Sequence, residues 1–372
     1  SGFANAVQTW LEERFSFATH ERMPVYGYAY KKACHKHITR RGNLVYFVRE
    51  LRGFHSFNSL VGGDEELAAL YAITFEGQGL NIRAEKVLSR LYAALLMAMT
   101  LVSGVVAILS RLRLRIVPRP SFLAADRLVD PRDQGILDEV RRQGRAVLYI
   151  SRSSDLREEL RNARIPDELI VDRGSGRIPL SDAGTIGWDF LSDWCRLARV
   201  AWGLHPRLVF ELTSLPYHRV LIRADLRHYP CEYFYARDEY NTEHILRTHE
   251  LRQLGARSIG LMHAVPILGR AAFGWAYVSF DTFFVSGAWI INEFGSRWPP
   301  DMNTRAAGCP GYTSERLRAM RPLMERPADI LFFVSWVPNL DLVERMIDRV
   351  CADHPGRTIW MKIKPAWRDR PA

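Results

Sequence analysis

Two hydrophobic periods organise the chain. From residue 121 onward short apolar runs alternate with amphipathic stretches of helical length, the pattern of strands joined by crossover helices in a parallel sheet. The runs that predict strands are AVLYIS (146–151), ELIV (168–171), RLVFEL (207–212), CEYFYA (231–236), RSIGLMH (257–263) and TFFVSG (282–287). Between them PRDQGILDEVRRQG (131–144) and NTEHILRTHELRQLG (241–255) predict helices. The second opens at Asn241, a capping residue type, and closes at Gly255, suited to the left-handed position after a last turn. Trp194, Leu197, Val200 and Ala201 share one helical face and predict a buried stripe. After residue 318 the pattern restarts with ILFFVSW (330–336), a helix from Asn339 to His354, and TIWMKIKP (358–365). The expected fold class is α/β, with a doubly wound domain over 121–318 and the start of a second over 319–372. A lone β-α-β unit cannot cover both faces of its sheet, so the second domain is expected to be incomplete.

The N-terminal region, residues 1–120, carries a different signal. LYAALLMAMTLVSGVVAILS (91–110) has no charge and the length of a membrane helix. Arg83, Lys86 and Arg90 precede it and Arg111, Arg113 and Arg115 follow, so the positive-inside rule gives no orientation. Ala93, Ala94, Ala98, Ser103, Gly104 and Ala107 allow close packing, which suits a core helix. The other reading is membrane contact, expected as an in-plane or re-entrant element whose RLRLR tail lies against acidic headgroups.

Charge and motifs narrow the classes. The chain has 51 Lys and Arg against 41 Asp and Glu, a formal charge of +10, so its surface attracts anions such as nucleotides, nucleic acid or acidic lipid. The basic residues are dispersed and no nucleic-acid-binding motif is apparent, which argues against a specific nucleic-acid partner. Five scattered cysteines without a Cys-x-x-Cys pair point to a reducing cytoplasm rather than a disulfide framework. There is no Walker A lysine, no Gly-x-Ser-x-Gly elbow and no Asp-x-Asp, and DRGSGR (172–177) lacks dinucleotide-binding spacing. No metal and no required cofactor are expected. CHKH (34–37) has metal-ligating residue types without a zinc spacing and reads as a basic loop.

In open α/β sheets ligands bind beyond the carboxyl ends of the strands. His263 falls at such an end, as do Ser335, Trp336 and Lys364. An imidazole titrates near neutrality and can act as a general base, although a structural histidine bonded to a carbonyl fits the same position. Arg237, Asp238, Asn241 and His244 crowd the end of the preceding strand and the start of a helix, where backbone N–H groups favour anions. Asp238 reads equally as a cap, and Arg247 and Arg252 as that helix's solvated face. Lys362 and Lys364 alternate and share one face of their strand, where they either neutralise a diphosphate or meet solvent.

GLMHAVPILG (260–269) resembles the HG-x-P-x-K segment of the CDP-glycerol glycerophosphotransferases and related bacterial surface-polysaccharide transferases. AAGCPGYTSERL (306–317) resembles their inter-domain linker, and ILFFVSWVPN with IWMKIKP their donor-domain strands. YFYARDEYNTEHILRTHELRQLGARSIGLMH is similar to a segment of capsule and O-antigen enzymes, so the likeness runs in order over 121–372. It implies a GT-B-like fold, two Rossmann-like domains facing a cleft. It also implies transfer of a sugar or polyol phosphate from a CDP-, UDP- or GDP-linked donor to a lipid-linked or polysaccharide acceptor, at the inner face of the cell membrane. His263 and Asp238 would be catalytic. Arg237, Asn241, His244, Tyr312, Ser335, Trp336, Lys362 and Lys364 would bind substrate or donor, with Gly308 and Pro310 shaping the hinge. The chain departs from the pattern at Ala264, Gly311, Ser314 and Pro365-Ala366-Trp367, the last removing a histidine that would contact the donor phosphate. A GT-B-type nucleotide-sugar epimerase and a catalytically degenerate membrane-surface scaffold are the alternatives.

Overall fold

The structure, a computed structural model, describes residues 86–126, 131–202, 204–263, 275, 277–308, 330–334, 340–356 and 358–363, with positions 26, 29, 32, 33, 59–61 and 81–83. The chain divides into two compact units, Ser1–Gly311 and Tyr312–Ala372, a break that precedes the expected one at residue 318.

The first unit is built on seven strands: β1 (Ser121–Asp126), β2 (Val147–Ser151), β3 (Ile170–Asp172), β4 (Cys231–Ala236), β5 (Arg257–Leu261), β6 (Thr282–Val285) and β7 (Asn303–Ala306). All pair in parallel, in the order β3-β2-β1-β4-β5-β6-β7. This is a doubly wound, Rossmann-like α/β arrangement. Its helices are α1 (Lys86–Arg111), α2 (Pro131–Arg142), α3 (Ser154–Asn162), α4 (Ala183–Ala201), α5 (Pro206–Thr213), α6 (Leu215–His228), α7 (Glu243–Gln253) and α8 (Ala288–Phe294).

Alternate strand residues feed two cores, as the two-residue period of a strand requires. Leu123, Ala125, Val147, Tyr149, Tyr235 and Leu261 pack with Leu137 of α2 and Leu160 of α3. Ala124, Leu148, Ile150, Phe234 and Ala236 pack on the other face with Leu212 of α5, Ile222 of α6, Leu251 of α7 and Phe294 of α8. Burial on both faces is why β2 is apolar along nearly its whole length.

One expected strand is a helix. RLVFEL (207–212) lies within α5, because Pro206 occupies a first-turn position where its missing N–H is no loss, and His205 Nδ1 accepts from the Arg207 N–H at 3.2 Å. Leu208, Val209 and Leu212 then form one buried helical face. SFLAAD (121–126) and NTRA (303–306), which the apolar pattern does not single out, are β1 and β7.

Helix α1 is fixed to this unit along its length. Ala93, Met97, Thr100, Gly104, Ala107 and Ile108 are buried, and α1 packs on α4, α5 and α6. A Cβ at Gly104 would lie 2.0 Å from the Phe190 ring, so the close approach of α1 and α4 needs glycine there. The Thr100 hydroxyl lies 3.0 Å from that of Thr213 and accepts from the Trp194 indole N–H at 3.0 Å. At the other end Arg111 Nη2 donates to the Gly174 carbonyl at 2.8 Å, and Leu112–Arg113 pairs in parallel with Ile178–Pro179.

The second unit holds β8 (Ile330–Val334) and β9 (Ile359–Ile363), paired in parallel, with α9 (Leu340–Asp353) between them in sequence.

Candidate functional site

Strands β1 and β4 are neighbours from which the chain winds in opposite directions, so the crevice at their carboxyl ends is the sheet's topological switch point. Four charged side chains close it. Asp126 ends β1, Arg152 follows β2, Asp238 lies just beyond β4 and Arg247 projects from α7. Arg152 Nε donates to Asp126 Oδ1 at 2.7 Å, and its Nη2 bonds both Asp126 Oδ2 and, at 3.1 Å, Asp238 Oδ2. Arg247 Nη2 donates to Asp238 Oδ1 at 2.8 Å, with its Nη1 3.7 Å from Asp126 Oδ2 and its guanidinium 4.3 Å from the Phe234 ring centroid. Arg247 is therefore buried and is not part of a solvated face. Arg252 remains partly exposed, paired with Asp281 at 2.6 Å and Asp301 at 2.9 Å.

Burial alone would raise the Asp238 carboxyl, but Arg247 beside it, with Arg152, holds it well below the usual carboxylate range. Burial likewise opposes the charge on Arg152, and its bonds to Asp126 outweigh that and raise it. Paired with both guanidiniums, the Asp238 carboxylate anchors the crevice. Two carboxylates and two guanidiniums leave the group near neutrality. A cavity of about 30 Å³, room for about one water, lies beside it among Asp126, Arg173, Asp225, Tyr229, Phe234 and Arg247. DRGSGR (172–177) closes the far side as a turn: the Asp225 carboxylate accepts from the Gly174 and Gly176 N–H groups at 2.8 Å each, while burial still pushes it up to about 6.

A second cluster sits one strand over, where β4 and β5 end. Arg237 Nη1 donates to Asp133 Oδ2 at 2.9 Å and its Nη2 to the His263 carbonyl at 3.0 Å, while the Tyr235 hydroxyl donates to Asp133 Oδ1 at 2.6 Å. Asp133 is fully buried in the first turn of α2. Its carboxylate is thus committed to Arg237 and Tyr235 within the protein. Glu239 Oε1 accepts from the His263 backbone N–H at 2.5 Å, and its Oε2 has no hydrogen-bond partner among the described residues. Burial, with some repulsion from Asp238, pushes Glu239 up to about 7, against the pull of the His263 N–H and Lys32. His263 is exposed, its ring tilted against Tyr240 at 5.7 Å between centroids. Its peptide is pinned at both ends, N–H to Glu239 and carbonyl to Arg237.

Of the expected site residues, Arg237 and His263 meet in this second cluster, while Asp238 and Asn241 meet in the first. Asn241 caps α7, its Oδ1 accepting from the Glu243 N–H at 2.9 Å, and its Nδ2 lies 3.4 Å from Asp238. His244 is elsewhere. It lies in the core, stacked on Phe280 at 4.9 Å, with Nε2 accepting from the Ser279 N–H at 3.4 Å. Burial, reinforced by nearby Lys32, holds it well below the usual imidazole range, so it is a neutral core residue that cannot meet a donor. Gly308 lies beyond β7 with φ +74°, and Lys362 falls in β9 of the second unit. Pro310, Tyr312, Ser335, Trp336, Lys364 and the CHKH segment lie outside the described residues.

Asp126, Asp133, Arg152 and Glu239 are the residues that sequence reasoning passed over. Their common signal is a charge at or within three residues of a strand's carboxyl end, or in the first turn of the helix that follows. Among the described residues no group of His, Cys, Asp or Glu is arranged to hold a metal ion. Compared with protein-family profiles, with curated proteins and with solved structures, the chain matches none.

Proposed function

We propose that the chain is a GT-B-like transferase whose acceptor hydroxyl arrives at the rim formed by the ends of β4 and β5. The observation that carries this reading is His263, exposed at a strand end one strand from the switch point, with its peptide held by Arg237 and Glu239. In the proposed step the imidazole takes the acceptor proton as the hydroxyl oxygen attacks the transferred group. With a sugar donor the bond from the anomeric carbon to the diphosphate breaks and a nucleoside diphosphate leaves. With a polyol phosphate donor the bond between the two phosphoryl groups breaks and a nucleoside monophosphate leaves. The negative charge left on either leaving group requires a cationic partner. The donor is a CDP-, UDP- or GDP-linked substrate and the acceptor is lipid-linked or a polysaccharide, at the cytoplasmic face of the membrane.

The test combines binding with turnover. A selective stabilisation of the full chain by one nucleotide or its sugar or glycerol conjugate supports the reading, and His263→Ala is expected to abolish transfer to the matching acceptor with an unchanged unfolding midpoint. Unimpaired turnover in that variant rejects the role of His263.

A second reading, a catalytically degenerate scaffold, is favoured by the closed ion-pair quartet at the switch point. It predicts no stabilisation by any of the nucleotides.

A further inference from the structure

We infer that the outward face of α1 is an in-plane docking surface for an anionic lipid bilayer. This inference does not depend on the transferase reading. An ordinary surface helix turns its large apolar residues inward. In α1 the order is inverted: the buried stripe is Ala93, Met97, Thr100, Gly104 and Ala107, mostly small, and the large residues point away from the unit. Leu91, Leu95, Met99, Val102, Val106 and Leu109 recur every three or four positions, and each is more than half exposed. They run along one side of the helix for about 27 Å, far beyond the scattered exposed apolars of a soluble surface.

The buried stripe excludes a span. Every inner position from Ala93 to Ile108 is held in the first unit, so α1 cannot cross a bilayer without carrying α4 to α6 with it. Those helices bear the ion pairs of Arg219 with Asp193 and Glu250 and of Arg223 with Asp189. The helix therefore lies parallel to the membrane, its outer side chains entering the boundary between headgroups and acyl chains.

Charge selects the occupant. Residues 86–120 contain Lys86, Arg90, Arg111, Arg113, Arg115 and Arg119 and no Asp or Glu, and Arg90, Arg113 and Arg115 are exposed at the two ends of the stripe. A two-fold dimer through this face would bring cationic ends together whether its helices ran parallel or antiparallel, which is unfavourable. An anionic bilayer meets all of them with opposite charge.

The test is co-flotation of the full chain with phosphatidylcholine vesicles and with vesicles containing about one-third phosphatidylglycerol. The protein is expected to float with the anionic vesicles and only weakly with the neutral ones. Leu95→Asp with Val102→Asp is expected to weaken partitioning about a hundredfold, because two buried apolar contacts become charged ones. The thermal midpoint is expected to stay unchanged, since both side chains are exposed in the folded protein. Arg113→Gln and Arg115→Gln are each expected to weaken partitioning roughly fivefold. Undiminished binding by the double aspartate variant overturns the inference. So does a protein that ignores anionic vesicles but sediments as a dimer which that variant dissolves, an outcome that assigns the face to a second copy.

Discussion

Replacing Glu239 by Gln is expected to stabilise the protein in mildly alkaline solution and to leave its stability in acid unchanged. The side chain is wholly buried, and burial raises its titration from the ordinary 4.5 to about 7. A folded-state value above the unfolded one means that the native protein binds the proton more tightly. The contribution to stability is complete below about pH 4.5 and is lost as pH rises through about 7. The shift of roughly 2.5 units, at about 1.4 kcal/mol per unit, puts the loss at pH 8 near 3 kcal/mol. Gln keeps an oxygen for the His263 N–H and does not titrate. Like the neutral acid, it leaves one polar group without a described partner, so the two proteins are matched in acid and diverge only as Glu239 ionises. Urea unfolding of both proteins at pH 4.5 and pH 8 measures the difference directly. Asp225, pushed up to about 6, tilts both curves in the same direction and cancels. A difference that stays constant between the two pH values, or a wild type more stable than the variant at pH 8, refutes the reasoning.

Two further substitutions probe the frame around the rim. Arg247→Met removes one of the two guanidiniums facing Asp126 and Asp238 and is expected to cost about 3–5 kcal/mol in urea unfolding; a loss below about 1 kcal/mol would mean that Arg152 alone neutralises both acids. Gly176→Ala would set a Cβ 2.3 Å from the Ala224 carbonyl carbon, a backbone atom in the middle of α6, and is expected to lower stability by at least about 1–3 kcal/mol. An unchanged unfolding midpoint would show that the 172–177 turn can lift off that helix.

The sheet was legible where both faces of a strand are buried. β2, β4, β5 and β6 announce themselves as compact apolar runs bounded by turn residues. β1 is as central as they are, but two of its residues are alanine, its ends are Ser121 and Asp126, and Pro118 and Pro120 precede it, so its composition carries little weight. β7 carries no apolar signal at all, because its residues are mostly exposed and its register comes from pairing with β6. In RLVFEL the apolar density suggested a strand, while the decisive residue was Pro206 just before it. At the site, His263 was placed by the rule that ligands gather at strand ends, and Asn241 by its capping chemistry. His244 and Arg247 were misplaced for one reason. Helix α7 is buried on nearly every side, and a polar residue turned into an ion pair or a ring stack has the same sequence period as one turned to water. The partners that reveal the difference, Asp126 for Arg247 and Ser279 with Phe280 for His244, come from far away in the chain.

Arg237 ties together segments that sequence holds far apart, the first turn of α2 through Asp133 and the end of β5 through His263. A rim held by such a cross-tie has lost most of its conformational freedom during folding, long before any ligand comes. A molecule settling against His263 would meet a backbone already held at that point, so contact there would add little ordering cost on the protein's side.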